Sequence, residues 1–318
     1  MRAGAALCIA LAVCGLGTGA DARAEDSGIT ATLGTNHEAL FSIALDGKAG
    51  VAVGAAGDLR ESSDAGVSWH ALAATPTPQA LLGVGLDAAH AIAVGQQGVI
   101  LVRTAPGVWG KVDSGTDARL LAVAVNAAGM AMAVGAFGTV LKSPDGGQHW
   151  EALKPNWADY VDGGAEPHLY GVHVADDGVI TIVGEFATLM RSHDGGATWE
   201  SKHKGEASLF AIDVRKDGVG YAVGQDGLAL KTMDNGTTWA ALDVGVKSNL
   251  LAVAAVGSDT VYVTGMHEVL VSKDAGSSWR ALASKSLPSL WYSGIAAADG
   301  AAYAIAVGQA GAIVRLGD

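Results

Sequence analysis

The sequence lacks most of the features that identify an enzyme or a membrane protein. Its two cysteines, Cys8 and Cys14, both lie near the N-terminus, so a chain without its leader has no disulfide to stabilise it. Beyond that leader no apolar run is long enough to span a bilayer. No glycine-rich loop ends in Lys-Ser or Lys-Thr, and the nine histidines show no metal-ligand spacing. We therefore expect neither a cofactor nor a metal.

Basic residues are also scarce. The chain has 20 Lys and Arg residues and 32 Asp and Glu residues, which gives a formal net charge of −12. A surface of this sign repels nucleic acid phosphates and anionic lipid headgroups. The charge therefore argues against nucleic acid binding and against direct attachment to a membrane.

Residues 1–24 have the pattern of a secretory signal peptide. Arg2 precedes the apolar stretch "ALCIALAVCGLG", and a small-x-small site at 22–24 predicts cleavage before Glu25. We expect an exported protein in the periplasm or another extracytoplasmic compartment. The alternative is a lipoprotein acylated at Cys14, which the bulky Val13 before that cysteine disfavours.

The remaining chain, 25–318, is built from repeats. Seven "AVG"-type segments recur at intervals of 40 to 43 residues, with one longer interval of 49. Their glycines are Gly54, Gly95, Gly135, Gly184, Gly224, Gly265 and Gly308. This period is typical of propeller blades, each made of four short strands, here called A to D from the inside outwards.

The ends of the chain predict how the ring closes. The last repeat supplies strands A, B and C and ends at Asp318, where its strand D would follow. Residues near Ile29–Leu33 form an unassigned strand before the first repeat, and we expect them to complete the last blade. The fold class predicted is all-β, a seven-bladed β-propeller of four-stranded blades. An open β-solenoid is the alternative.

A box of the form Ser/Thr-x-Asp-x-Gly-x-x-Trp follows strand C in five repeats. Its aspartates and tryptophans are Asp64 and Trp69, Asp145 and Trp150, Asp194 and Trp199, Asp234 and Trp239, and Asp274 and Trp279. The aspartate is suited to accept hydrogen bonds within its own turn, the glycine to adopt φ > 0, and the tryptophan to pack between blades. One carboxylate per blade is too few for a calcium site. We therefore interpret the boxes as structural elements.

Several segments resemble a known family. "SPDGGQHW", "SHDGGATW" and "AVGAFGTVLKSPDGG" resemble the BNR/Asp-box propellers, and the order strand–AVG–x–x–G–strand–box is most similar to the photosystem II stability/assembly factor family. The resemblance covers about Gly28 to Asp318. It implies an exported, non-enzymatic propeller that helps to assemble or stabilise a membrane protein complex. Sialidases and other glycosidases also carry the box.

Departures from the repeat give the candidate site. The long interval contains "KPNWADYVDGGAEPH", a loop from Lys154 to His168 that offers aromatic anchors and carboxylates to a partner. The turns "GEFA" and "GMHE" replace the usual "GxxG". The partner-binding candidates are Trp157, Asp159, Tyr160, Glu185, Phe186, His267 and Glu268. The alternatives are aromatics that fold back over the rim and neutral drift in exposed turns.

Two functions fit this pattern. The first is a monomeric, non-catalytic scaffold that binds a protein partner, such as a membrane protein complex. The second is a polysaccharide-active glycoside hydrolase with paired carboxylates drawn from Glu185, Asp226 and Glu268. Sialidase activity is disfavoured because most arginines fall late in strands C, near the boxes, rather than in one cluster.

Overall fold

A computed structural model describes residues 28–87, 89–282, 284 and 287–317 of the chain. The predicted signal peptide and its two cysteines lie outside these residues. None of the helices in the described part of the chain is long and apolar enough to cross a membrane.

The described residues form seven antiparallel sheets of four strands each. Strands A, nearest the axis, are β2 (Leu40–Asp46), β6 (Leu81–Asp87), β10 (Leu120–Val125), β14 (Leu169–Val174), β18 (Leu209–Val214), β22 (Leu250–Val256) and β26 (Tyr292–Ala296). Strands B are β3 (Ala49–Gly54), β7 (His90–Gly95), β11 (Ala131–Gly135), β15 (Ile180–Gly184), β19 (Gly220–Gly224), β23 (Thr260–Gly265) and β27 (Ala304–Gly308).

The outer strands are shorter. Strands C are β4 (Leu59–Ser62), β8 (Ile100–Ala105), β12 (Val140–Ser143), β16 (Leu189–Ser192), β20 (Ala229–Thr232), β24 (Val269–Ser272) and β28 (Ile313–Leu316). Strands D are β1 (Thr30–Thr32), β5 (His70–Ala71), β9 (Val108–Val112), β13 (Glu151–Leu153), β17 (Glu200–Ser201), β21 (Ala240–Leu242) and β25 (Arg280–Ala281). Five 3₁₀ turns lie at Ala55–Gly57, Gln96–Gly98, Trp157–Asp159, Asp162–Gly164 and Gln225–Gly227.

The inner strands form because their side chains are buried on both faces. All five residues of β11 and all five of β15 are buried. Such strands read as continuous apolar runs instead of alternating ones, and alanine, valine and glycine allow the sheets to crowd around the axis. The core is consequently divided into clusters between adjacent blades. One cluster joins Met132 and Val134 of the third blade to Ile180 and Ile182 of the fourth.

The ring closes as predicted. Strand β1 pairs with β28, with Thr30 opposite Arg315 and Thr32 opposite Ile313. Strand β26 of the seventh blade also packs against β2 of the first. The N-terminal strand therefore supplies the missing strand D, and the open solenoid alternative is wrong.

An ion-pair cluster stabilises the seam between the first and seventh blades. The Arg60 guanidinium lies 2.8 Å from Glu38 and 2.7 Å from Asp58. The main chain of the same loop crosses the seam, since Gly34 N–H donates to the Ala310 carbonyl at 2.9 Å. These contacts hold the loop after β1 against the first and last blades.

Candidate functional site

The two ends of the propeller carry different connections. Leu169, the first residue of β14, pairs with Gly184, the last of β15, and every blade repeats this register. The B–C turns and the loops before strands A therefore share one end, here called the turn face. The A–B turns and the boxes share the other end, here called the box face.

Each box is satisfied within its own turn. In the fourth blade, Ser192 Oγ donates to Asp194 Oδ1 at 2.9 Å and accepts from Gly196 N–H at 2.8 Å. Thr198 donates to both oxygens of the same carboxylate, from its backbone N–H at 2.9 Å and from its hydroxyl at 2.6 Å. The hydrogen bonds from Thr198 and Ser192 lower the pKa of Asp194 to about 2. Hydrogen bonds within the turn also lower the pKa of the other four box aspartates to about 2, with the His149 ring in place of a hydroxyl beside Asp145.

The box tryptophans lie between blades, as predicted. Trp199 is 6% exposed and packs in the cluster shared by the third and fourth blades. Its Nε1 donates to the Gly196 carbonyl at 3.1 Å. Gly196 has φ of +89°, and a Cβ there would lie 2.4 Å from Leu153 Cδ1 of the preceding blade. The box thus requires glycine at this position both for its backbone conformation and for its close contact with the preceding blade.

The second blade has no box aspartate, and a neighbouring blade compensates. Glu61 of the first blade accepts hydrogen bonds from Gly107 N–H at 2.9 Å and from Trp109 Nε1 at 2.8 Å. This substitution could not be predicted from the sequence, because Glu61 is 46 residues from Gly107 and 48 from Trp109. Among the described residues there is no group of His, Cys, Asp or Glu side chains arranged to hold a metal ion.

The turn face surrounds the mouth of a central cavity. The cavity has a volume of about 210 Å³ and is lined by three residues from each strand A. Every strand A carries a register shift immediately after its first residue. The shifted residues border the cavity: Phe41, Leu82, Leu121, Tyr170, Phe210, Leu251 and Ser293.

Four of the rings on this face form a row across the third, fourth and fifth blades. Phe137 meets His168 edge-on at 4.9 Å between ring centroids, and Tyr170 meets Phe210 edge-on at 5.4 Å. His168 and Tyr170 are 6.4 Å apart. We call Phe137, His168, Tyr170 and Phe210 the aromatic row. It extends from the rim of the face to the mouth of the cavity.

Exposed apolar side chains accompany the row. Phe137 is 69% exposed, Phe186 52% and Met266 53%, and each belongs to a B–C turn. Large apolar side chains this accessible are typical of interaction sites when they cluster with other apolar groups. The turn face therefore offers an apolar surface around a cavity mouth.

The structure does not support the hypothesis that Trp157 of the long loop anchors a partner. Trp157 is 7% exposed and packs in the core cluster of the third and fourth blades, with its indole over Gly138. Tyr160 packs against the same cluster, whereas Asp159 is exposed and accepts a hydrogen bond from Asn156 at 3.1 Å. Trp157 folds back over the rim because the glycine in the neighbouring turn leaves space for its ring. It offers little surface to a partner.

The two irregular turns have different structures. In "GEFA", Phe186 and Ala187 both have positive φ, and Glu185 accepts hydrogen bonds from its surroundings. In "GMHE", Met266 and His267 are exposed, and Glu268 accepts a hydrogen bond from the Ser248 hydroxyl. Both turns lie on the turn face, so Glu185, Phe186, His267 and Glu268 remain candidate contacts.

Sequence reasoning selected none of the four members of the aromatic row as partner-binding candidates. A signal was present, because three strands A have leucine at their second residue, whereas β14 has tyrosine and β18 has phenylalanine, as β2 also does. These aromatic residues line the cavity only because the register shift turns the second residue of each strand A towards it.

The fold and the five boxes define an Asp-box β-propeller. The sequence model of the family described as Photosynthesis system II assembly factor YCF48 matches residues 103–201 and 153–317. These ranges cover more than half of the chain, and the chain belongs to this family. A search of curated proteins finds no match.

Solved structures agree on the fold. A structure described as YCF48 bound to D1 peptide has a TM-score of 0.72 at 18% identity and covers 93% of this chain and 97% of its own. YCF48 from Cyanidioschyzon merolae has a TM-score of 0.70 at 18% identity, covering 92% and 99%. The GH74 xyloglucanase from Xanthomonas campestris has a TM-score of 0.71 at 15% identity, covering 89% of this chain and 53% of the enzyme.

Proposed function

We propose that this protein is a non-catalytic, exported scaffold that binds a segment of a protein partner on its turn face. The observation that carries the proposal is the set of apolar side chains on this face: the aromatic row, whose member Phe137 is exposed, and the exposed Phe186 and Met266. Aromatic side chains supply large contact areas at low entropic cost, which suits them to protein recognition. The opposite face also exposes apolar side chains, such as Val67 and Met233, but the ring–ring contacts found among the described residues all lie on the turn face.

Family membership supports the kind of partner. The related YCF48 structure contains a D1 peptide, and its fold matches this chain over nearly its whole length. We propose that the partner here is likewise a segment of a membrane protein, within a complex that the scaffold helps to assemble or stabilise.

The contacts of Glu185 support a binding role over hydrolysis. A glycosidase needs two carboxyl groups that face a substrate across a cleft. Both oxygens of Glu185 instead accept hydrogen bonds from the protein, from His168 N–H at 2.8 Å and from Tyr170 OH at 3.2 Å. Glu268 accepts from the hydroxyl of Ser248, in the loop before β22.

Binding is tested by titrating a synthetic D1 peptide into the mature protein by calorimetry. The proposal predicts saturable binding that Phe137→Ser weakens about tenfold, the scale of removing an aromatic anchor. Val67→Ser is the matched control, because Val67 is 70% exposed on the box face. A wild-type protein that binds neither this peptide nor any partner cross-linked in its host would refute the scaffold function.

Two further arms address catalysis and location. Incubation with xyloglucan and other polysaccharides should release no product; turnover that Glu185→Gln abolishes would establish the hydrolase instead.

Fractionation of the host should recover a protein that begins at Glu25 outside the cytoplasm. A full-length cytoplasmic protein would contradict export, and an acylated Cys14 would show a lipoprotein.

A further inference from the structure

In the fourth blade, the side chain of the first B–C turn residue accepts a hydrogen bond from the main chain before strand A. The equivalent hydrogen bond in the fifth blade is longer. In both blades the first turn residue donates its N–H to the residue before strand A, Glu185 to His168 and Gln225 to Ser208, each at 2.9 Å. Both side chains also accept a hydrogen bond from the N–H of that same residue. The bond to Glu185 is 2.8 Å long, but the bond to Gln225 is 3.4 Å.

The second oxygen of Glu185 reaches the aromatic row directly. Tyr170 OH donates to Glu185 Oε1 at 3.2 Å, while the Tyr170 ring lies against Phe210. One carboxylate therefore fixes both the main chain before β14 and the ring that follows it. Hydrogen bonds to an ionised acceptor are stronger than neutral ones, so this bridge is well suited to hold a ring in place.

His168 extends the connection to the rim. Its backbone N–H is held by Glu185, and its Nδ1 accepts a hydrogen bond from Phe137 N–H at 3.2 Å. The His168 ring also packs edge-on against Phe137. The carboxylate is thus linked to three of the four residues of the row: to Tyr170 through its hydroxyl, to His168 through its main chain, and to Phe137 through His168.

The backbone of this turn adopts an unfavourable conformation. Phe186 has φ of +55° and Ala187 of +54°. At the position of Ala187 the first, second, third, fifth and seventh blades have glycines with positive φ: Gly57, Gly98, Gly138, Gly227 and Gly311. An alanine in this region carries strain that a glycine avoids. The surroundings of the turn, including the bridge from Glu185, must therefore hold it in place.

We propose that Glu185 is a positioning residue of the turn face, which holds the aromatic row in its binding arrangement before an apolar segment of the partner docks on it. This rests on the proposed function, because it assigns that face to a protein partner. Ordering the rings in advance lowers the entropic cost of binding, and so raises affinity without a direct contact between Glu185 and the partner.

The experiment compares Glu185→Ala, Glu185→Gln and Tyr170→Phe with the wild type, with Gln225→Ala as the matched control in the fifth blade. Glutamine can accept from His168 N–H through its carbonyl oxygen and donate to the Tyr170 oxygen through its amide. We expect Glu185→Ala to weaken D1 peptide binding about tenfold, and Glu185→Gln and Gln225→Ala to change it by less than about twofold. Tyr170→Phe should give an intermediate loss.

Two readouts do not depend on the partner. Hydrogen exchange at the His168 amide should accelerate in Glu185→Ala and stay slow in Glu185→Gln. Burial, together with the Glu185 charge, raises the pKa of Tyr170 to about 12, so the phenol should titrate at lower pH in Glu185→Ala. Thermal unfolding establishes that each variant is folded.

The outcomes separate the two proposals. Unchanged His168 exchange in a folded Glu185→Ala protein would overturn the positioning role, as would unchanged affinity. A wild type that binds no peptide, but shows the expected exchange and titration differences, would refute the proposed function while supporting the positioning of the rings. Loss of peptide binding in Glu185→Gln, with exchange still slow, would mean that the carboxylate contacts the partner itself and would also overturn the proposal.

Discussion

The box face and the turn face are built from the same seven repeats but use them in opposite ways. On the box face five turns are nearly identical, and each satisfies its own polar groups, as the Asp194 turn does. On the turn face equivalent positions hold different side chains, and several of them, such as Phe137 and Phe186, are exposed and apolar. Repetition therefore accompanies structural roles here, and departure from the repeat accompanies the candidate site.

The largest effect expected on the box face is a loss of stability from Trp199→Ala. Trp199 fills the space between two blades, so its removal leaves a cavity and should cost ~3–5 kcal/mol of unfolding free energy. Urea unfolding measures this change. Peptide binding by the protein that remains folded should be unaltered, whereas a loss of binding in proportion to stability would show that the two faces are coupled.

On the turn face we expect the opposite result: substitutions there should lower peptide affinity and leave stability nearly unchanged. The double variant Phe137→Ala/Phe186→Ala should lower peptide affinity by at least about tenfold, because both rings leave the exposed surface. Its unfolding free energy should stay within about 0.5 kcal/mol of wild type, since exposed side chains contribute little to stability. Calorimetric titration and urea unfolding of the same samples decide this. A large stability loss without a change in binding would show that these turn-face side chains stabilise the fold and do not bind the peptide.

A smaller effect tests the irregular second blade. Glu61→Ala leaves Gly107 N–H and Trp109 Nε1 without their acceptor and should cost about 1–2 kcal/mol. Glu61→Gln keeps one acceptor oxygen and should cost less. Thermal unfolding of both variants measures the difference, and equal stability of Glu61→Ala and wild type would mean that the second blade needs no substitute for the box.

The smallest effect we expect is in the way that acid changes the stability contributed by Asp194. The folded-state pKa of Asp194 is about 2 against an ordinary value of 3.8. A lowered pKa contributes stability that is present above the ordinary value and is lost as the pH falls towards 2. Asp194→Asn should therefore be less stable than wild type at neutral pH, and the difference should shrink below about pH 4.

Urea unfolding between pH 7 and pH 2 follows this difference. Peptide binding at neutral pH should be unchanged in folded Asp194→Asn and Asp194→Ala. A constant stability difference across the whole range would show that the box carboxylate is not held by its turn.

Much of the fold could be predicted from the sequence because the repeat is regular. The period located the blades, and the ends of the chain located the strand that closes the ring, now seen as Thr30–Thr32 beside β28. The box chemistry was also predictable, since its hydrogen bonds join residues at most four positions apart.

The site was less predictable because its contacts join residues that are far apart in the chain, such as Phe137 and His168, which are separated by 31 positions. The sequence left open whether Trp157 anchors a partner or folds back over the rim, because its direction depends on the space over Gly138 in an adjacent turn. Tyr170 and Phe210 face the cavity because of a register shift that no local pattern announces. Glu185 was identified from its irregular turn, yet its partners, His168 and Tyr170, became evident only in three dimensions.

Hydrogen–deuterium exchange of the protein with and without the D1 peptide tests the central claim most directly, because it reports on both faces at once. The account predicts peptide-dependent protection at residues 136–139, 168–171, 185–188 and 209–211 of the turn face, with unchanged exchange in the box at 192–199. Protection confined to the boxes, with none on the turn face, would contradict it.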